Sequence, residues 1–125
     1  MFTAVITPSG NSGLVAEPQQ DAATSYVYSS TAGQSDLYTI GAISETPTSV
    51  VAVVTRGLLQ KSDAGTRMAS VQLKSGSTTV SSTSTALNAG SWGWLYRVDQ
   101  TDPNGGGALT ATAVNNMQIG VRVDT

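Results

Sequence analysis

The chain has 125 residues, a formal net charge of -2 and only 11% charged residues. It contains no cysteine and no histidine, which excludes disulfides, thiolate metal sites and both Ser-His-Asp and Cys-His catalysis. The basic residues are few and scattered, so neither nucleic acid nor an anionic membrane is an expected partner. We therefore predict one domain over residues 1–125, without enzymatic activity, that buries about two thirds of its unfolded surface.

The N-terminal third of the chain predicts three strands and one long loop. Apolar and polar residues alternate over 2–7, 26–28 and 36–43, with the period expected of strands. Residues 8–25 interrupt this alternation with Pro, Gly, Ser and Gln, and we predict an extended loop or arm there. Residues 1–7 lack the basic start and apolar core of a signal peptide, and no apolar run is long enough to span a membrane. We therefore expect the protein to be made in the cytoplasm.

The middle of the chain predicts a central strand, one hairpin and a further strand. Residues 50–54 are apolar at every position, which predicts a strand covered on both faces. A turn at 61–65 leads to a strand at 66–74, and we predict that this strand forms a hairpin with the preceding one. A second turn at 75–77 leads to a strand at 78–87, whose Ser and Thr content requires one solvated face.

Both tryptophans lie in the following predicted strand. Large apolar residues occupy every second position, and the positions between them are mixed. The large residues are Trp92, Trp94, Tyr96 and Val98, and those between them are Gly93, Leu95, Arg97 and Asp99. We predict that the large residues fill the core and that the mixed side faces outward. The alternative is that Trp92, Trp94 and Tyr96 form an exposed stacking platform for sugar rings.

The C-terminal segment predicts a turn, a short helix and a closing strand. Asp-Pro-Asn-Gly at 102–105 is a strong turn signal. Thr110 or Thr112 can cap a short helix near residues 110–117, with an Asn near its C-terminal end in the left-handed region. Residues 118–123 alternate again and predict the last strand of the sheet.

Together these elements predict an all-β fold, an antiparallel β-sandwich that is jelly-roll-like, with about eight strands and one short helix. The predicted structural core residues are Trp92, Trp94, Tyr96, Val51, Val53, Ile119 and Val121.

The charged and polar residues suggest two kinds of site. Asp99, Asp102 and Asn104 carry oxygens that can bind Ca²⁺, but the pattern does not match an EF-hand and Asp before Pro-Asn-Gly is ordinary turn chemistry. We therefore predict no catalytic residue, no cofactor and no metal. Basic residues on neighbouring strands form either a faintly basic interface or a solvated sheet edge that resists aggregation. The candidate interface residues are Arg56, Lys61, Arg67, Asp102 and Asn104.

Four segments in the C-terminal two thirds of the chain carry a family resemblance. They are Lys-Ser-Asp-Ala-Gly-Thr-Arg at 61–67, Val-Gln-Leu-Lys-Ser-Gly at 71–76, the segment 94–105 that contains Thr-Asp-Pro, and Val-Asn-Asn-Met-Gln-Ile-Gly-Val at 114–121. In these segments the chain resembles a family of small structural proteins from tailed bacteriophages. The order and spacing of these segments agree over about half of the chain. The chain departs from the pattern at 108–110, where related sequences tend to place a Trp before the Thr.

This resemblance implies a virion component with a β-sandwich fold and no enzymatic activity. The role that it suggests first is a capsid decoration, or cement, protein that stabilises the head by binding between capsomers. The implied partners are the major capsid protein and further copies of the chain, in a homotrimer. The implied location is the capsid surface of the virion, after synthesis in the bacterial host cytoplasm. The alternatives are a tail-associated adhesin or carbohydrate-binding module, and a tail or connector component.

Overall fold

The computed structural model describes residues 3–4, 11, 15 and 25–125. Among these residues the chain forms nine β-strands, which pair antiparallel, and one short α-helix. In chain order they are β1 Thr3–Ala4, β2 Val27–Tyr28, β3 Ser35–Thr39, β4 Val53–Leu59, β5 Met68–Ser75, β6 Thr78–Ser81, β7 Thr85–Ala86, β8 Gly93–Asp99, α1 Ala111–Asn115 and β9 Gln118–Val123. The predicted all-β antiparallel class with one short helix is confirmed. The arm predicted at 8–25 lies outside the described residues, except for positions 11, 15 and 25.

Strand β5 is the centre of the larger sheet. The sheet has five strands in the order β3-β9-β5-β6, and β7 also pairs with β5. Because β5 has neighbours on both edges, its residues from Ala69 to Leu73 and its last residue, Ser75, are all buried. Polar side chains within it find partners: Gln72 Nε2 donates to Ser81 Oγ at 3.1 Å, and Ser70 Oγ donates to Asp124 Oδ1 at 3.3 Å. The prediction that 50–54 forms the central strand is wrong.

Strand β4 pairs with β8 and not with the strand that follows it in the chain. The register runs from Val53 opposite Asp99 to Leu59 opposite Gly93. The hairpin predicted between β4 and β5 is therefore wrong, because the turn at 61–65 connects two different sheets. The turn predicted at 75–77 does connect β5 with β6, and Gly76 adopts a positive φ of 54° there.

The β4–β8 pair packs across the five-stranded sheet, which gives a sandwich-like arrangement of two unequal layers. At Gly57 the layers come so close that an added Cβ would lie 3.1 Å from Val71 Cγ1 and 3.4 Å from Val121 Cγ1. One core cluster consists of Ala69, Val71 and Leu95, with Leu59, Leu87 and Val121 packed against it. The other consists of Leu73, Leu109, Val114 and Met117, with Ile40, Val50, Val53, Val80, Ala113 and Ile119 packed against it. Of the predicted core residues, Val53, Ile119 and Val121 thus pack against the core.

Helix α1 begins as predicted and supplies part of the core. The Thr110 side chain caps it by accepting a hydrogen bond from Ala113 N at 3.1 Å. Val114 is buried on one side of the helix, and this packing is what holds so short a helix. The predicted left-handed Asn at its end is wrong, because Asn116 has a φ of -101°.

Candidate functional site

The outer side of the β4–β8 pair carries a continuous group of apolar, aromatic and basic side chains, most of them exposed, which we call the aromatic face. Its members are Val54, Arg56 and Leu58 on β4, and Trp94, Tyr96 and Val98 on β8. They form three cross-strand pairs, with Val54 opposite Val98, Arg56 opposite Tyr96 and Leu58 opposite Trp94. Trp94 is 54% exposed and Tyr96 is 69% exposed, and both valines are also more than half exposed.

The orientation of β8 corrects the prediction from the sequence. Trp94 and Tyr96 were predicted to be core residues and are not, because the mixed side of the strand faces the larger sheet. Val51, at 80% exposure, is likewise outside the core. Trp92 is partly buried, and its ring lies edge-to-face against Tyr26 with centroids 6.4 Å apart. The alternative in which aromatic residues of this strand are exposed therefore fits Trp94 and Tyr96.

An ion pair allows the mixed side of β8 to face inward. Arg97 donates from Nε to Asp99 Oδ2 at 2.8 Å and from Nη2 to Asp99 Oδ1 at 2.5 Å, so the pair is bidentate. Its Nη1 donates to the backbone oxygen of Ser81 at 2.7 Å, which connects β8 to the end of β6. Because the two charges neutralise each other, Asp99 is tolerated at 7% exposure beside Leu95 at 6%. The large aromatic residues then occupy the outer side of the strand.

Arg56 brings one positive charge to the aromatic face. Its guanidinium carbon lies 4.9 Å from the centroid of the Trp94 ring, a distance at which a cation is attracted to the ring. Within the part of the chain that the structure describes, the ion pairs are Arg67–Asp63, Arg97–Asp99 and Arg122–Asp124, so Arg56 has no carboxylate partner there. The contact orients the indole ring and leaves the charge of Arg56 available to a ligand or partner.

A groove lies beside β8, next to the two exposed rings. It has a volume of about 350 Å³ and is lined by Trp94, Leu95, Tyr96, Ser82, Thr83 and Thr85. We call the segment 82–85 the hydroxyl wall. Ser82 Oγ accepts from Val71 N at 3.1 Å and donates to the Thr83 oxygen at 3.1 Å, so the wall is attached to the central strand. The groove therefore combines aromatic surface with hydroxyl groups.

The structure places the remaining candidate interface residues in turns, apart from the aromatic face. Arg67 Nη2 pairs with Asp63 Oδ2 at 2.7 Å, and Lys61 Nζ donates to the backbone oxygen of Gly65 at 2.5 Å. Of the five candidates, Arg56 alone lies on the aromatic face.

The turn near 102–105 shows the local hydrogen bonding expected of its sequence. Asp102 Oδ1 accepts from Asn104 N at 2.9 Å, and Thr78 Oγ1 donates to Asn104 Oδ1 at 3.2 Å. The carboxylate of Asp99 is bound by Arg97 and does not join this turn. No group of three or more potential metal-binding side chains of the types His, Cys, Asp or Glu occurs among the described residues.

Two titratable groups with shifted pKa values lie outside the aromatic face. Burial raises the pKa of the Tyr38 hydroxyl, and its hydrogen bond to Asp36 Oδ2 raises it further. The hydrogen bond from Arg67 lowers the pKa of Asp63, which is fully exposed. Neither group contributes to the groove.

No protein-family model, curated protein or solved structure matches this chain. Helix α1, the one helix among the described residues, is not long and apolar enough to cross a membrane. Interpretation of function therefore depends on the aromatic face, on the groove and on the sequence itself.

Proposed function

We propose that this protein is a non-enzymatic structural subunit of a bacteriophage virion, a capsid decoration (cement) protein that stabilises the head by binding between capsomers. The observation that carries the proposal is the aromatic face, in which Trp94, Tyr96 and two valines are each more than half exposed on one side of two strands. Monomeric proteins rarely expose contiguous apolar patches larger than a few hundred Å², and larger ones are typical of interaction sites.

The size of the aromatic face indicates what kind of attachment it can support. Its exposed apolar side chains offer on the order of 500 Å². A stable protein–protein interface buries about 800 Å² on each partner. The face alone therefore gives a weak contact, and firm binding needs a second one. A decoration subunit obtains that second contact from an adjacent capsomer and from the other copies in a homotrimer.

The composition of the aromatic face also favours a protein partner. Trp, Tyr and Arg are the residues that most often dominate binding energy at interfaces. Arg56 stacks on Trp94 and has no carboxylate partner among the described residues, so a partner with a carboxylate opposite Arg56 would be favoured. The proposed partner is the major capsid protein. The virion context rests on the sequence segments at 61–67, 71–76, 94–105 and 114–121.

A second candidate function is a tail-associated adhesin or carbohydrate-binding module. The groove favours it, because Trp94 and Tyr96 stand beside the hydroxyl wall. A tail or connector component is the third candidate, and it predicts a ring of higher symmetry in place of a trimer. The mass of the purified protein in solution separates the trimer, the ring and a monomeric module.

Binding to empty capsids of the phage that encodes the protein tests the decoration role. Replacing both exposed rings, in the double variant Trp94→Thr and Tyr96→Thr, should lower the affinity at least about thirtyfold, as expected for loss of central anchor residues. Tyr28→Thr is the matched control, because Tyr28 is 52% exposed but lies on β2. A stable monomer without capsid affinity, or a double variant that binds as tightly as the native chain, would contradict the proposal.

A further inference from the structure

We infer that the groove between the hydroxyl wall and the rings of Trp94 and Tyr96 is a binding site for a neutral saccharide. The site goes beyond the proposed attachment to the capsid, because it assigns a ligand to a groove that shares Trp94 and Tyr96 with the aromatic face but also includes the hydroxyl wall. Its ligand would be one or two pyranose rings of an oligosaccharide. Three features of the groove favour such a ligand: its two rings, its hydroxyl groups and its uncharged lining.

The two rings form a platform of suitable spacing. Trp94 and Tyr96 are two residues apart on one strand, so their side chains emerge on the same side at a separation of roughly 7 Å. Arg56 contacts the indole ring of Trp94 from β4. The groove is lined by the hydroxyl wall and by β8, and no residue of β4 lines it. Aromatic surface of this kind packs against the apolar C–H face of a sugar ring.

The hydroxyl groups around the rings supply hydrogen bonds of the kind that sugars need. Within the described part of the chain, the Thr83 and Tyr96 hydroxyls make no hydrogen bond to the protein, so both are available to a ligand. The Thr85 hydroxyl donates to the Thr83 backbone oxygen at 3.2 Å and keeps its lone pairs for a ligand donor. A hydroxyl acts as both donor and acceptor, which suits the hydroxyl groups of a sugar.

The lining of the groove argues for a neutral ligand of limited size. Its residues are three hydroxyl side chains, one leucine and two aromatic residues, and no carboxylate or ammonium group is among them. The volume of about 350 Å³ lies at the lower end of the range for small-ligand sites, roughly 300–1,000 Å³. The wall is held at both ends: Arg97 binds the Ser81 oxygen and Val71 N donates to Ser82 at its start, and Thr85 pairs with Ala69 of β5 at its end. A site held in this way loses little conformational freedom when the ligand binds.

An NMR titration of the intact protein tests the inference, with maltotriose, cellotriose and N-acetylchitotriose as probes. At least one probe should bind with a dissociation constant on the order of 1 mM, a value typical of a small and open site. The signal of the Trp94 indole N–H should shift, while that of Trp92, which contacts Tyr26 and does not line the groove, should stay in place. Absence of any shift at Trp94 with all three probes would overturn the inference.

Two variants locate the site and keep it separate from the capsid contact. Thr83→Val removes one available hydroxyl and should weaken saccharide binding about fivefold, whereas Thr79→Val, on β6 and outside the groove, should not change it. Equal affinity in Thr83→Val and the native chain would contradict the site.

Val54→Ser should weaken capsid binding and leave saccharide binding unchanged, since Val54 belongs to the aromatic face and does not line the groove. A protein that binds saccharide but not capsids would contradict the proposed function and leave this inference standing. A protein that binds capsids but not saccharide would contradict this inference and leave the proposed function standing.

Discussion

Strands β5 and β8 lie in different layers and distribute polar and apolar side chains in opposite ways. β5 buries Ser70, Gln72 and Ser75, while β8 exposes Trp94 and Tyr96. The difference follows from the neighbours of each strand. β5 pairs with β6, β7 and β9, whereas β8 pairs with β4 alone among the described strands. Burial in this protein is therefore decided by position in the layers more than by the hydrophobicity of each side chain.

The two layers also differ in which residues stabilise the fold and which are exposed for binding. Leu73 of the five-stranded sheet, Val114 of helix α1 and Met117, which lies between α1 and β9, are all buried in one core cluster. The β4–β8 pair provides a thin second layer with an inner side that packs and an outer side that is open. Replacing residues on the outer side should change binding and leave folding nearly intact.

Leu73→Ala should have the largest effect on stability. Leu73 is fully buried in the core cluster, so the change leaves a cavity and should lower the free energy of unfolding by about 4 kcal/mol. Trp94→Thr, which removes a much larger side chain from the aromatic face, should cost less than about 1 kcal/mol. Urea denaturation followed by circular dichroism measures both. A larger loss of unfolding free energy in Trp94→Thr than in Leu73→Ala would mean that the aromatic face contributes more to stability than the core does.

Asp99→Asn tests the inner side of β8. The change leaves the guanidinium of Arg97 largely buried without its carboxylate and should lower the free energy of unfolding by about 3 kcal/mol. Asp102→Asn is the control, because it removes the same charge nearby and an Asn side chain can still accept from Asn104 N. Similar urea midpoints for the two variants would mean that the ion pair does not hold β8 in its orientation.

Gly57→Ala tests the close contact between the two layers. The added Cβ would lie 3.0 Å from Leu59 Cδ1 and 3.1 Å from Val71 Cγ1, so these side chains must shift within a packed core. We expect a loss of about 1–2 kcal/mol in the free energy of unfolding. Gly41→Ala has open space around its Cβ and should be neutral or slightly stabilising. Thermal unfolding of both variants measures the difference, and equal midpoints would exclude a tight contact at Gly57.

Thr55→Val should stabilise the protein. Thr55 is buried on the inner side of β4, and its Oγ1 has no hydrogen-bond partner among the described residues. Replacing the hydroxyl by a methyl group of similar size should raise the free energy of unfolding by about 1 kcal/mol. Thr39→Val, at an exposed position on β3, is the control and should have little effect. A destabilised Thr55→Val would show that the hydroxyl has a partner in the folded chain.

Asp63→Asn should have the smallest effect, because its ion pair with Arg67 is exposed on both sides. The folded pKa of Asp63 is lowered by the hydrogen bond from Arg67, so the pair stabilises the folded state above the unfolded pKa. This contribution is lost as the pH falls through the folded pKa. Urea midpoints of the variant and the native chain should therefore differ slightly at neutral pH and converge in acid. A difference that grows in acid would contradict this assignment.

Local signals in the sequence determined much of the secondary structure. The alternation of Ile119, Val121 and Val123 predicted β9, and a cap at Thr110 or Thr112 predicted the start of α1, which Thr110 provides. Gly76 predicted the turn between β5 and β6, because its positive φ favours glycine. These features depend on residues close together in the chain, so no knowledge of distant contacts is needed to predict them. The all-β class followed from the same signals.

Only the tertiary structure decided which strands pair and which side of each strand faces inward. Alternation in β8 defines two sides, but it does not say which side packs, since Trp94 and Leu95 are both apolar. The choice depends on residues distant in the chain: Arg97 on the inner side donates to the Ser81 backbone oxygen, and Gly57 lets β4 approach Val71. Pairing of β4 with β8 joins segments far apart in sequence, so neighbouring turn signals carry no information about it. The sequence therefore indicated a strand with one aromatic side, and the packing of the two layers left that side exposed to solvent.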